Sequence, residues 1–248
     1  MSRNENPFAA SRRALMSGFL PILLVAVCLA PFLPLGAVQG AEEGFVSMFN
    51  GKDLSGWSSE PGRWCVEDGM ITAQSTPDKP CTKQSYLIWQ GGRPADFEMR
   101  CEYRLIGGNS GIQFRSLALP NWDTSGYQAD AEAGDQWTGC LFQHKRGGVA
   151  MRGEKVVIGK DGQKQITPLG DAKELLAHVK KDDWNSYRIT ARGSDITLEI
   201  NGAVMCQVTD GDVAKACRDG VIALQMHPGP PMKVQFRNLR IKILNPPK

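Results

Sequence analysis

Apolar and polar residues alternate with a period of two over much of the chain beyond residue 44. Phe97, Met99, Cys101, Tyr103 and Leu105 share one side of a segment whose other side is Glu98, Arg100, Glu102 and Arg104. That pattern belongs to a strand with one face in a core and one in water. Tyr187, Ile189 and Ala191 alternate in the same way with Arg188, Thr190 and Arg192, and Ile196, Leu198 and Ile200 follow the turn Arg192-Gly193-Ser194-Asp195. Asn201-Gly202 then predicts a two-residue hairpin turn, because both residues accept positive φ, with Val204, Cys206 and Val208 on the return strand. Segments 221–227 and 234–243 predict two more strands. Turn pairs recur at Asn50-Gly51, Asp68-Gly69, Gly91-Gly92, Gly107-Gly108, Gly147-Gly148 and Asp161-Gly162. Short strands so punctuated predict an all-β sandwich or barrel. Segment 171–181 departs from the pattern. Leu175, Leu176 and Val179 stand at helical spacing behind Asp171 as N-cap, which predicts one short helix on a connection. With no repeat, linker or composition shift after residue 44, residues 41–248 read as one domain.

The alternation also identifies polar faces. In 109–115, Ile112 and Phe114 take the apolar side, and Gly111, Gln113 and Arg115 the other, with Asn109 two residues before Gly111. Gln128 and Asp130 share a face of 127–130, and Gln225 and His227 share a face of 223–227. If these strands are neighbours, they form a platform of amide, guanidinium, carboxylate and imidazole groups. Such groups suit sugar hydroxyls, which need donors and acceptors in fixed directions. Trp57, Trp64, Trp89, Trp122, Trp137 and Trp184 are available to stack on a sugar ring, although tryptophans also serve cores. His227 precedes Pro228-Gly229-Pro230-Pro231, a rigid turn at a strand end, and His144 lies in a polar run, Gln143 to Arg146. Asp130 is the leading carboxylate candidate. Glu132 and Asp135 follow it, so a divalent cation is compatible with the segment, but their spacing is not diagnostic and no metal ligand is assigned. No phosphate loop, nucleophile elbow or zinc-protease motif occurs.

Composition narrows the partners. Of 248 residues 42% are hydrophobic and 22% charged, which is ordinary for a folded protein. Setting aside Arg3, Arg12, Arg13 and Glu5 in residues 1–40 leaves 26 basic and 25 acidic residues, with no basic run to suggest nucleic acid. The first forty residues read as an export signal: Arg12-Arg13, an apolar stretch from Ala14 broken by Pro21, Pro31 and Pro34, then Val38-Gln39-Gly40 before Ala41. The arginine pair also fits a twin-arginine signal. Removal of that segment implies an exported protein, periplasmic or secreted, without a stable membrane span. Cys65, Cys81, Cys101, Cys140, Cys206 and Cys217 then remain, and Cys206 with Cys217 and Cys65 with Cys81 are the local disulfide candidates, buried free thiols being the alternative.

Several motifs resemble one family. Phe49-Asn50-Gly51-Lys52-Asp53-Leu54-Ser55-Gly56-Trp57 is similar to the opening of the 3-keto-disaccharide hydrolase domain. Trp64-Cys65-Val66-Glu67-Asp68-Gly69-Met70-Ile71, Asp96-Phe97-Glu98-Met99-Arg100 and Gly108-Asn109-Ser110-Gly111-Ile112 with Arg115 follow in the family's order. Trp184-Asn185 and Val234-Gln235-Phe236-Arg237-Asn238-Leu239-Arg240-Ile241 complete a resemblance over about residues 44–244. It implies a concanavalin-like double-sheet sandwich (jelly roll) and a glycoside already oxidised to a ketone at C3 of the sugar. Such a ketone acidifies the C2 hydrogen, so that a base can remove it and an acid can assist departure of the C1 substituent. For that chemistry Asp130 or His227 is the expected base and Arg115 with Gln113 is expected to steady the oxyanion, while Asn109, Gln128, Gln225 and His144, read from the polar faces and the polar run, are the expected substrate contacts. A carbohydrate-binding sandwich without turnover is the alternative. The chain departs from the family in one place: Gln128 and Asp130 stand where many members carry a Glu followed two residues on by a Gln.

Overall fold

The computed structural model describes residues 43–244, so the export-signal reading of residues 1–40 lies outside the described residues. The strands in chain order are β1 (Val46–Ser47), β2 (Trp57–Ser58), β3 (Trp64–Glu67), β4 (Met70–Ser75), β5 (Ser85–Trp89), β6 (Phe97–Ile106), β7 (Asn109–Leu119), β8 (Asp123–Glu132) and β9 (Leu141–Gln143). They continue as β10 (Gly147–Ala150), β11 (Glu154–Ile158), β12 (Lys164–Pro168), β13 (Asn185–Arg192), β14 (Asp195–Ile200), β15 (Ala203–Asp210), β16 (Val221–Met226) and β17 (Met232–Ile243). One helix, α1 (Ala172–Leu176), lies between β12 and β13. Asp171 caps it, its Oδ1 accepting from the Lys173 and Glu174 amides at 2.9 Å. The helix is shorter than the predicted 171–181 span. No described helix is long and apolar enough to cross a membrane.

The strands form two sheets, as expected of a sandwich. A ten-stranded sheet runs β12-β11-β15-β14-β13-β6-β17-β4-β3, with β1 beside β17, and a seven-stranded sheet runs β10-β9-β8-β7-β16-β5-β2. The predicted Asn201-Gly202 turn joins β14 to β15, with φ of 51° and 82°. The inward residues of both sheets make one core, in which Phe97 of β6 meets Phe114 of β7 edge-on at 6.0 Å. Each such large side chain contributes about 1.5–3 kcal/mol by leaving water. Tyr187 of β13 crosses this core and donates its hydroxyl to Asp130 O on β8 at 3.2 Å. Asp130's backbone is thus tied to the far sheet, while its side chain points away from it.

The disulfide candidates do not form, and all six described cysteines are free. Cys65 lies exposed on β3 near Glu67, whereas Cys81 is buried with Met226 O as a neighbour. Cys206 is fully buried in the core, and Cys217 sits on a loop where its Sγ accepts from Gln143 Nε2 at 3.3 Å.

Candidate functional site

Residues at spacing two on β16, β7 and β8 do share the outer face of the seven-stranded sheet. Register aligns Gln225 with Gly111 and Gly111 with Asp130, and in the next row Ala223 with Gln113 and Gln113 with Gln128. In a flat sheet, β5 and β9 would stand about 19 Å apart across the three intervening strands. Yet Tyr86 OH of β5 lies 3.3 Å from His144 Nε2, just after β9. The sheet is therefore bent into a trough that folds its outer face over itself.

Within the trough is a cavity of about 230 Å³ lined by Gln84, Asn109, Gln128, Asp130, Trp137, Phe142, His144, Gln225 and His227. Six expected residues meet here: Asn109, Gln128, Asp130, His144, Gln225 and His227. Their side chains are held by a chain of amides. Ser116 Oγ donates to Gln113 Oε1, and Gln113 Nε2 donates to Gln128 Oε1, both at 2.7 Å. Gln128 Nε2 donates to Gln225 Oε1 at 3.0 Å and to Asp130 Oδ1 at 2.5 Å. Gln225 Nε2 continues to Gln84 Oε1 at 2.5 Å and Tyr86 OH at 3.2 Å. Gln128 can lie flat across the sheet because position 111 is glycine; a Cβ there would stand 2.7 Å from Gln128 Cγ.

Asp130 is 3% exposed. Burial pushes its carboxyl from an ordinary 3.8 up to about 8, the Gln128 hydrogen bond opposing the rise and the charge of Glu132 adding to it. The group therefore carries a proton at neutral pH. His227 is complementary. Its Nδ1 lies 2.6 Å from Pro228 O, a carbonyl that can only accept, so Nδ1 holds a hydrogen and the neutral ring has its lone pair on Nε2. Asn109 Oδ1 is buried without a hydrogen-bond partner, and Gln84 Nε2 makes no hydrogen bond among the described residues. Both amides line the cavity with bonding capacity unspent. Trp137 and Phe142 form an aromatic wall, ring to ring at 6.0 Å and 85°.

Two expected residues stand elsewhere. Gln113 is fully buried beneath Gln128 and supports the cavity from behind. Arg115 does not join the platform. A bulge between Phe114 and Leu117 and a φ of 46° at Arg115 break the alternation. Its guanidinium, 1% exposed, donates to Ala95 O at 2.7 Å, Gly193 O at 2.8 Å and Asp96 Oδ1 at 3.0 Å. It ties the segment before β6 to the β13–β14 turn, and the bonds it makes lie there rather than in the trough. The acidic residues after Asp130 are likewise committed or turned away. Glu132 Oε2 accepts from the Gln136 and Trp137 amides, which fixes the loop that carries Trp137, and Asp135 lines a different cavity. Among the described residues no three His, Cys, Asp or Glu side chains converge as a metal would require. Of the six tryptophans only Trp137 reaches this cavity; Trp57 and Trp64 are in the core. Gln84 and Tyr86 were missed. Both precede a run, Leu87-Ile88-Trp89, whose apolar character hides the period of two that places 84 and 86 on the trough side.

A curved double sheet with a polar trough on one face defines a lectin-like β-sandwich. Over residues 44–242 the sequence matches the 3-keto-alpha-glucoside-1,2-lyase-like domain, and the chain belongs to that family. Solved structures share the fold at low identity. A candidate glycosyl hydrolase from Parabacteroides distasonis is 18% identical, with 82% of this chain and 95% of that chain covered and a TM-score of 0.54. A carbohydrate-binding module from Bacillus subtilis is 14% identical, covering 75% of this chain and 95% of that one, with a TM-score of 0.50. A Bacillus subtilis protein with a galectin-like fold is 10% identical, covering 78% and 92%, with the same TM-score of 0.50. No curated protein matches the chain significantly.

Proposed function

We propose that this is an exported carbohydrate-active enzyme that cleaves glycosides carrying a ketone at C3 of the sugar. The family supplies the substrate class. The observation that carries the reading is the pairing, in one cavity, of a buried carboxyl that holds its proton with an imidazole whose Nδ1 is bonded to a carbonyl, which leaves Nε2 as the basic nitrogen of the neutral ring. His227 Nε2 takes the C2 proton, and the electron pair moves into C2=C3 with the charge on the C3 oxygen. The unspent amide hydrogens of Gln84 would hold that oxyanion, and Asn109 Oδ1, an acceptor without a partner, would take a sugar hydroxyl. The enolate then expels the C1 substituent as C1=C2 forms, and Asp130 gives its proton to the departing oxygen. Addition of water to C1=C2 completes a hydrolysis; release before that step makes the enzyme a lyase. This assigns the base to His227 rather than Asp130. It needs no second carboxyl group across the scissile bond, such as ordinary glycosidases use as base or nucleophile.

The test is to incubate the protein with 3-keto-disaccharides in deuterated water and follow products by NMR. Cleavage is expected with deuterium at C2 of a hydrated product, or with the C2 hydrogen lost in an unsaturated one, and a cleaved product that keeps its original C2 hydrogen would contradict proton abstraction. A second reading, binding without turnover, is favoured by one feature: most amides of the trough bond to each other, which builds a rigid platform for hydroxyls. Saturable binding of the keto-sugar with no product would establish it.

A further inference from the structure

We infer that the end of the sandwich beside the trough holds a second site, one that binds an oxyanion: a sulfate, phosphate or carboxylate group. It is an open cavity of about 650 Å³ between the β9–β10 turn, the β11–β12 loop and the segment after β15. Lys145, Arg146, Lys160, Lys164 and Lys215 line it, against only Asp161 and Asp212. The formal charge of the whole chain is just +3, so cationic groups are concentrated here.

The acidic groups at this end are all engaged in holding the fold. Asp212 Oδ1 caps a turn, accepting from the Ala214 and Lys215 amides at 2.8 and 3.0 Å. Asp161 Oδ1 accepts from the Gln163 amide at 3.1 Å. Behind the cavity, Asp210 Oδ2 accepts from Arg146 Nη2 and from Tyr127 OH. The cations are not all engaged. Lys164 Nζ donates to Gly148 O at 2.7 Å, but the ammonium groups of Lys145, Lys160 and Lys215 make no hydrogen bond or ion pair among the described residues.

Arg146 supplies the second, independent observation. Its side chain is 7% exposed and is fixed from behind, Nε donating to Gln143 Oε1 at 2.6 Å and Nη2 to Tyr127 OH at 3.2 Å. Its Nη1, however, is buried with no hydrogen-bond partner, the Asp212 carboxylate standing at 3.7 Å. A guanidinium fixed in place, whose Nη1 makes no hydrogen bond and only a 3.7 Å ion pair, beside ammonium groups without partners among the described residues, is an arrangement that can recognise a planar or tetrahedral oxyanion. Lys145 follows His144 directly, so the two cavities meet at the β9–β10 turn. A saccharide held in the trough could therefore present an acidic substituent here, although the oxyanion site stands whether or not the proposed reaction occurs.

The test is calorimetric titration of the full chain with inorganic sulfate, then with glucose 6-sulfate, at constant ionic strength, repeated on the triple variant Lys145→Gln, Lys160→Gln, Lys215→Gln. These lysines are on the surface, so the variant is expected to keep the parent's thermal midpoint. Saturable sulfate binding that weakens at least tenfold in the variant is expected. Tighter binding of glucose 6-sulfate than of sulfate would mark the ligand as an acidic sugar, and equal affinity would mark it as the free oxyanion. No saturable binding of either probe, or binding that the triple variant leaves unchanged, would overturn the inference. Neither result depends on turnover in the trough.

Discussion

On the outer face of the ten-stranded sheet, Arg237 Nε donates to Glu102 Oε2 at 2.6 Å, with the two side chains 41% and 32% exposed. Arg100 pairs with Glu98 and Arg188 with Glu199 along the same face, and the Arg237 and Arg104 guanidinium groups lie 4.0 and 5.0 Å from the Trp184 ring. On the outer face of the seven-stranded sheet, Gln113, Gln128, Asp130 and Gln225 are each under 5% exposed. Both faces carry polar residues at spacing two, but the polar groups of the first are full charges and those of the second are mostly amides, beside an apolar patch of Tyr86, Ile88, Val221 and Ala223. Curvature accounts for the difference. The first face meets water, where opposed charges cost little. The second folds inward, where an unpaired charge would be expensive and each polar atom needs a partner. Glutamine, donor and acceptor in one group, can satisfy its neighbours in a chain. The one carboxyl kept there gives up its charge and becomes available as an acid.

The largest expected effect on this contrast comes from His227→Ala. It should lower kcat on a 3-keto-glycoside by about 10²–10⁴-fold, the range for losing a general base, with the thermal midpoint little changed. A collapse of stability with activity per folded molecule retained would reassign His227 to structure. Next is Arg115→Ala. Removing a buried guanidinium from Asp96 should cost about 3–5 kcal/mol in urea unfolding, with turnover per folded molecule kept. Gly111→Ala should cost about 1–3 kcal/mol by overpacking and should raise KM, because the added methyl displaces Gln128. Smallest is Glu102→Gln on the exposed face, expected to change stability by about 0–1 kcal/mol and turnover not at all. Equal effects from Glu102→Gln and Gly111→Ala would erase the distinction between the faces.

The period of two was enough to place the sandwich, the Asn201-Gly202 hairpin and the face shared by Gln128, Asp130, Gln225 and His227. It works because side-chain direction in a strand is local, set by the pleat. Three things were not legible, each for a physical reason. Arg115 fell out because a bulge with positive φ restarts the alternation, and nothing in Phe114-Arg115-Ser116 announces one. Gln84 and Tyr86 fell out because curvature, a property of the whole sheet, brings β5 over β8 and β9. The burial of Asp130 has the same origin. Alternation says which way a carboxylate points but not how much water it will meet, so its protonation state came only with the structure.

That protonation state can be read by carbon-13 NMR of the Asp130 carboxyl in the full chain, titrated from pH 4 to pH 10 beside the Asp130→Asn variant. The expected midpoint is about 8. Because the folded-state value lies above the unfolded one, the stability Asp130 contributes is full below 3.8 and lost by about pH 8. Asp130→Asn should accordingly gain stability over the parent across that window, by a few kcal/mol at most, and hold the gain at higher pH. A midpoint near 4, with parent and variant unfolding in parallel at every pH, would mean a solvated carboxylate. It would contradict both the closed trough and the acid role given to Asp130.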